Sequence, residues 1–68
     1  MQGSDIKNYL EQNGIKQNFL SVKTGIPEPI LSQILNNNRR IEINEYASIC
    51  ETLGVSLEYF RKEKTKNW

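Results

Sequence analysis

The chain has 68 residues, 37% of them hydrophobic, and nine basic against eight acidic side chains for a net charge of +1. So short a chain hides only roughly 60% of the surface it exposes when unfolded, which implies one domain spanning residues 1–68, a small core and no room for a large active-site cavity. A lone cysteine, Cys50, and the absence of histidine exclude an internal disulfide and the usual zinc sites, and no apolar run is long enough to cross a membrane.

Taken in chain order, a first helix is expected from Ser4, whose hydroxyl can cap the helix with Asp5 in the first turn. Ile6, Tyr9 and Leu10 then share one face, and Gly14 provides the stop. A second, very short helix runs from about Gln17 to Lys23, with Phe19, Leu20 and Val22 as its apolar surface and Gly25 at its end. Pro27-Glu28-Pro29 follows, and proline is tolerated only in a first helical turn, so a third helix is expected from near Glu28 to near Leu35, before Asn36-Asn37-Asn38. A fourth helix covers about Ile43 to Leu53, with Ile43, Tyr46, Ala47, Ile49, Cys50 and Leu53 at helical spacing and Gly54 beyond its end. Ser56 caps a fifth helix, from Leu57 to about Lys62, and residues 63–68 form a charged tail. The fold class is thus all-α, a compact five-helix domain. Met1 to Leu10 lacks the basic start and apolar stretch of a secretion signal, so a cytoplasmic location is expected.

Charge is distributed unevenly. From Gly14 to Arg40, Lys16, Lys23, Arg39 and Arg40 stand against Glu28 alone, so this segment carries +3 and the remainder −2. Helices of about seven residues do not stand alone in water, so the second and third must brace each other. Ser21, small enough to let the third helix cross the second, precedes a turn glycine at Gly25, and Ile26, Leu31 and Ile34 follow as buried positions.

Gly14-Ile-Lys-Gln-Asn-Phe-Leu-Ser-Val-Lys-Thr-Gly-Ile26, followed by Leu31-Ser-Gln-Ile-Leu-Asn36, resembles the helix-turn-helix of the phage repressor and Cro family, also called the XRE family. Leu53-Gly-Val-Ser-Leu57 is similar to the junction of that family's fourth and fifth helices, so the resemblance covers about residues 5 to 60. It implies that the second and third helices form a helix-turn-helix, with the third lying in the major groove of double-stranded DNA. Gln17 stands at the family's phosphate-contacting glutamine. Glu28, Pro29, Ser32 and Gln33 occupy its base-reading positions: Gln33 can pair with adenine, Ser32 can donate or accept, and Glu28 either accepts from a cytosine amino group or serves the helix dipole. Ile30 either touches a thymine methyl or packs inward. Asn36, Asn38, Arg39 and Arg40 have the chemistry to hold phosphates, and Asn37, at a position usually glycine, tolerates left-handed geometry.

Lys16 and Pro27 replace the family's capping threonine and serine, so neither can accept a capping hydrogen bond. Leu10 and Leu35 replace a paired arginine and glutamate, a double exchange that predicts a retained contact between the first and third helices. Cys50 is read as core, and Glu42, Glu45 and Glu51 as a solvated face. No nucleophile and base pair or phosphate-cradling glycine loop is present, so no catalytic residue, cofactor, metal or small-molecule ligand is expected. The expected function is a small transcriptional regulator, acting as a homodimer on a pseudo-palindromic operator, with Val55, Leu57, Tyr59, Phe60 and Trp68 as interface candidates, some of which must fill the core. The alternative is a protein-binding module, an antitoxin or antirepressor partner, with the same fold and little DNA affinity.

Overall fold

A computed structural model describes residues 2–60. Its order is α1 (Gly3–Gln12), α2 (Gln17–Thr24), α3 (Glu28–Leu35) and α4 (Ile43–Leu53). The expected fifth helix is not formed in the described residues: 57–60 make turns, and the rest of its span lies outside them. The physical reason is visible at Ser56, whose carbonyl accepts from the Tyr59 N–H at 3.1 Å in a tight turn. The fold is therefore all-α with four helices and no strand among the described residues.

Each helix boundary has a local cause. α1 starts at Gly3, one residue before the expected Ser4 cap, because the Asp5 carboxylate reaches back to accept the Gln2 N–H at 2.9 Å. Glu45 does the same for α4, accepting the Glu42 N–H at 3.0 Å, so Glu45 does more than solvate a face. α2 and α3 begin without side-chain caps at Lys16 and Pro27, as those residue types require. Proline in the first turn of α3 removes N–H groups that had no intrahelical partner anyway.

Packing runs from α1 to α3, from α3 to α2 and from α2 to α4. The core is drawn from all four helices: Ile6 and Leu10, Leu20, Leu31 and Leu35, Tyr46, Ile49 and Cys50, with Ile26 and Phe60 added from the connections. Leu10 and Leu35 are both buried in this one cluster, so neither position leaves a desolvated charge. Burial pushes the Cys50 thiol up from its ordinary value, against a smaller opposite effect of its hydrogen bond with Tyr46.

Three apolar residues expected inside lie outside. The inward edge of α2 is Gln17, Leu20, Ser21 and Thr24, which leaves Phe19 and Val22 exposed, Val22 at 72%. Ile43 is 79% exposed because the buried face of α4 starts only at Tyr46, one turn later.

One close approach is decisive for α1. A Cβ built on Gly3 would lie 1.7 Å from the Ile34 carbonyl oxygen, so only glycine lets the start of α1 meet the end of α3.

Candidate nucleic-acid interface

Three hydrogen bonds that involve side chains hold the turn between α2 and α3. The Ser21 hydroxyl donates to the Ile26 carbonyl at 2.6 Å, the Thr24 hydroxyl donates to the Leu20 carbonyl at 2.8 Å, and the Ile26 N–H donates back to Thr24 Oγ1 at 3.3 Å. Gly25 between them has φ +80°, a left-handed geometry that a Cβ would strain. Ser21 thus contributes a donor as well as small size, and Thr24 is a structural residue that sequence reasoning missed.

So braced, α3 buries Leu31, Ile34 and Leu35 and half-buries Ile30, which packs against the core. Its opposite edge presents Glu28, Pro29 and Gln33 to solvent, with Ser32 half-buried beside them. These residues follow helical spacing, so four side chains of different chemistry line one ridge. Gln17 sits half-buried at the first position of α2.

Beyond α3 the chain turns through Asn36, Asn37 and Asn38 to Arg39 and Arg40, all exposed. Asn37 has φ +64°, the left-handed conformation that asparagine tolerates better than most residues. Its amide is spent on α1: Oδ1 accepts the Ser4 N–H at 3.1 Å, and Nδ2 donates to Ser4 Oγ at 3.2 Å. Asn36 is held as well, accepting from Lys7 Nζ at 3.0 Å and donating to the Ser32 carbonyl at 2.9 Å. Together the start of α1 and the 37–41 segment line an open depression of about 470 Å³ that includes both arginines.

Of the two guanidinium groups, Arg39 lies 3.7 Å from the Glu45 carboxylate, a loose pair in which the arginine is exposed and the glutamate half-buried. At that length, with one partner exposed to water, the pair contributes little to stability. Lys23 lies 5.7 Å from the centre of the Phe19 ring, so part of that exposed ring is covered by a cation.

The remaining expected contact residues divide. Phe60 is buried in the core, touching Tyr9, Tyr46 and Tyr59 edge to face at centroid distances of 5.6, 6.5 and 4.9 Å. It is one of the interface candidates that fill the core. Val55 is half-buried against the same cluster, whereas Leu57 and Tyr59 are 51% and 44% exposed. The Tyr46 hydroxyl donates to the Leu57 carbonyl and anchors this turn to α4. Trp68 lies outside the described residues. Among the described residues no group of acids and Cys50 is arranged to hold a metal ion, and no helix is long and apolar enough to cross a membrane.

A family model described as helix-turn-helix matches residues 6–60, most of the chain. Comparison with curated proteins and with solved structures gives no significant match.

Proposed function

Because the chain belongs to the Cro/repressor-like, XRE-type helix-turn-helix family, we propose that it binds double-stranded DNA sequence-specifically and regulates transcription from a pseudo-palindromic operator. The family is one of DNA-binding transcription regulators rather than enzymes. On this reading α3 enters the major groove and Glu28, Pro29, Ser32 and Gln33 meet base edges. Gln17, Asn38, Arg39 and Arg40 hold phosphates, and Asn36 flanks the groove while tied to Lys7 and Ser32. The observation that carries the reading is the two-sided character of α3: an apolar edge locked to the core, and a polar edge left exposed on a segment whose net charge is +3.

One such module makes few contacts, and tight specific binding calls for two copies on half-sites about one helical turn, roughly 34 Å, apart. The exposed Leu57 and Tyr59 are the apolar surface proposed to join them. A regulator of this kind works in the compartment that holds DNA, here the cytoplasm.

Selection of bound sequences from a random duplex pool tests the proposal. The unmodified chain should enrich sites with two-fold related halves. Gln33→Ala should relax preference at one base position per half-site, and Arg39→Ala should weaken all sequences about equally. Uniform losses for both variants would remove Gln33 from base reading.

A second reading, a protein-binding module with little DNA affinity, is favoured by one observation: Phe19 and Val22 expose apolar surface on α2. It predicts no enrichment from the pool at all.

A further inference from the structure

We propose that Lys7 on α1 is a further phosphate-binding residue, its ammonium set beside the end of α3 to hold one phosphate of the DNA strand that flanks the major groove. The proposal rests on the DNA-binding reading above. It extends the contact surface to a third helix, since the residues so far given to DNA lie on α2, on α3 or in the segment after α3.

The ammonium is placed through Asn36. That residue ends α3, and its Nδ2 donates to the Ser32 carbonyl at 2.9 Å. A backbone carbonyl only accepts, so this bond fixes which amide atom is the nitrogen and turns Oδ1 the other way. Lys7 Nζ donates to that oxygen at 3.0 Å, from 29 residues away in sequence. Ser32 and Asn36 are four residues apart and share one ridge of the helix, so the cation stands at the C-terminal end of the edge that carries Ser32. The helix dipole favours a cation at that end.

The charge is left available. An ammonium has three donors, and Asn36 takes one of them. Among the described residues no carboxylate is paired with Lys7. Asp5 accepts the Gln2 N–H instead, and Glu11, four residues on, stands in the less favourable order for a helical ion pair.

The position suits a phosphate strand. α3 has eight residues and so spans about 12 Å, no more than the width of the major groove, also about 12 Å. With the polar edge of α3 in the groove, its last residue comes out beside a backbone, within reach of a lysine. The seat is rigid as well. Gly3 and the Ile34 carbonyl meet too closely for any side chain at position 3, and Asn37 ties the same turn to Ser4. Lys7 is half-buried, so part of its side-chain freedom is already lost before DNA arrives.

The test is a salt-series titration with random-sequence duplex on the unmodified chain, Lys7→Gln and Lys7→Arg, each checked for folding by thermal unfolding. Lys7→Gln keeps an N–H donor for Asn36 Oδ1 and removes the charge, so it separates the cation from the tie between helices. Its plot of log binding constant against log salt should have a slope smaller by about 0.9, and its affinity at low salt should fall by about threefold to tenfold on every sequence. Lys7→Arg keeps the cation and should keep the slope. An unaltered slope in Lys7→Gln overturns the proposal, whether or not the affinity falls. A loss confined to one base position overturns it too, since Lys7 would then read a base.

Two further readouts locate the contact. In a site selected from the duplex pool, phosphates replaced one at a time by neutral methylphosphonate should include one per half-site that weakens the unmodified chain but not Lys7→Gln. If every such replacement weakens both equally, Lys7 holds no phosphate. The other readout needs no variant: acetylation by an amine-reactive reagent, mapped by mass spectrometry, should be slower at Lys7 when duplex is bound. Equal acetylation with and without duplex overturns the proposal. A chain that binds no duplex overturns the DNA reading and this proposal with it, whereas salt-dependent binding with an unaltered slope in Lys7→Gln overturns this proposal alone.

Discussion

At the scale of single residues, Gly3 and Cys50 show how little tolerance a small core has. An added Cβ at Gly3 meets a backbone oxygen at 1.7 Å and cannot be relieved by a rotamer change, so α1 must shift off α3. Gly3→Ala is expected to destabilise the protein by about 1–3 kcal/mol, measured by urea unfolding. Cys50 is almost fully buried, and burial raises its thiol above the ordinary value. A group whose folded pKa is raised binds its proton more tightly folded than unfolded. Its stabilising contribution is complete below the unfolded value of about 8.5 and is lost as pH rises through the higher folded value. Unfolding midpoints at pH 7 and at alkaline pH should therefore diverge more for the unmodified chain than for Cys50→Ala, in which the other titrating groups are unchanged. Equal divergence would show that the buried thiol plays no part.

At the scale of elements, the turn between α2 and α3 is where small polar side chains determine the placement of α3. Ser21→Ala removes the 2.6 Å hydrogen bond to a partly buried carbonyl and should cost about 1 kcal/mol in thermal unfolding; a neutral effect would mean that water replaces the hydroxyl. The bounds of α3 and α4 are those read from the Pro27-Glu28-Pro29 start and the Gly54 stop, because prolines and glycines act on the backbone locally. Residues 57–60 form turns where the start of a fifth helix is expected, because a cap residue followed by apolar positions also suits a turn closed by Phe60. Likewise apolar character at Phe19 and Val22 and helical spacing at Ile43 point inward, while their exposure depends on where each helix meets its neighbour. The outward edge of α3 was legible since buried positions at fixed spacing leave the rest outside. The Lys7 to Asn36 contact was not, because it depends on how α1 and the turn after α3 lie against each other in space. One signal pointed toward it: Leu10 on α1 and Leu35 on α3 are apolar where a paired arginine and glutamate would stand, both lie in one buried cluster, and Lys7 lies one turn before Leu10.

At the scale of the whole molecule, a net charge of +1 says nothing for nucleic acid, and the electrostatic case rests on the placement of charge. Lys16 precedes α2, Lys23 lies in its last turn, and Arg39 and Arg40 follow α3, with Arg39 only loosely paired to Glu45 at 3.7 Å. The measurement that tests this most directly is a fluorescence titration of the chain with random-sequence duplex DNA over a series of salt concentrations. Phosphate contact releases condensed counterions, so the logarithm of the binding constant should fall linearly with the logarithm of salt, with a slope of about −0.9 per phosphate neutralised. A steep negative slope, smaller by about one for Arg40→Ala, is the predicted result. No binding at low salt, or binding that ignores salt, would contradict it.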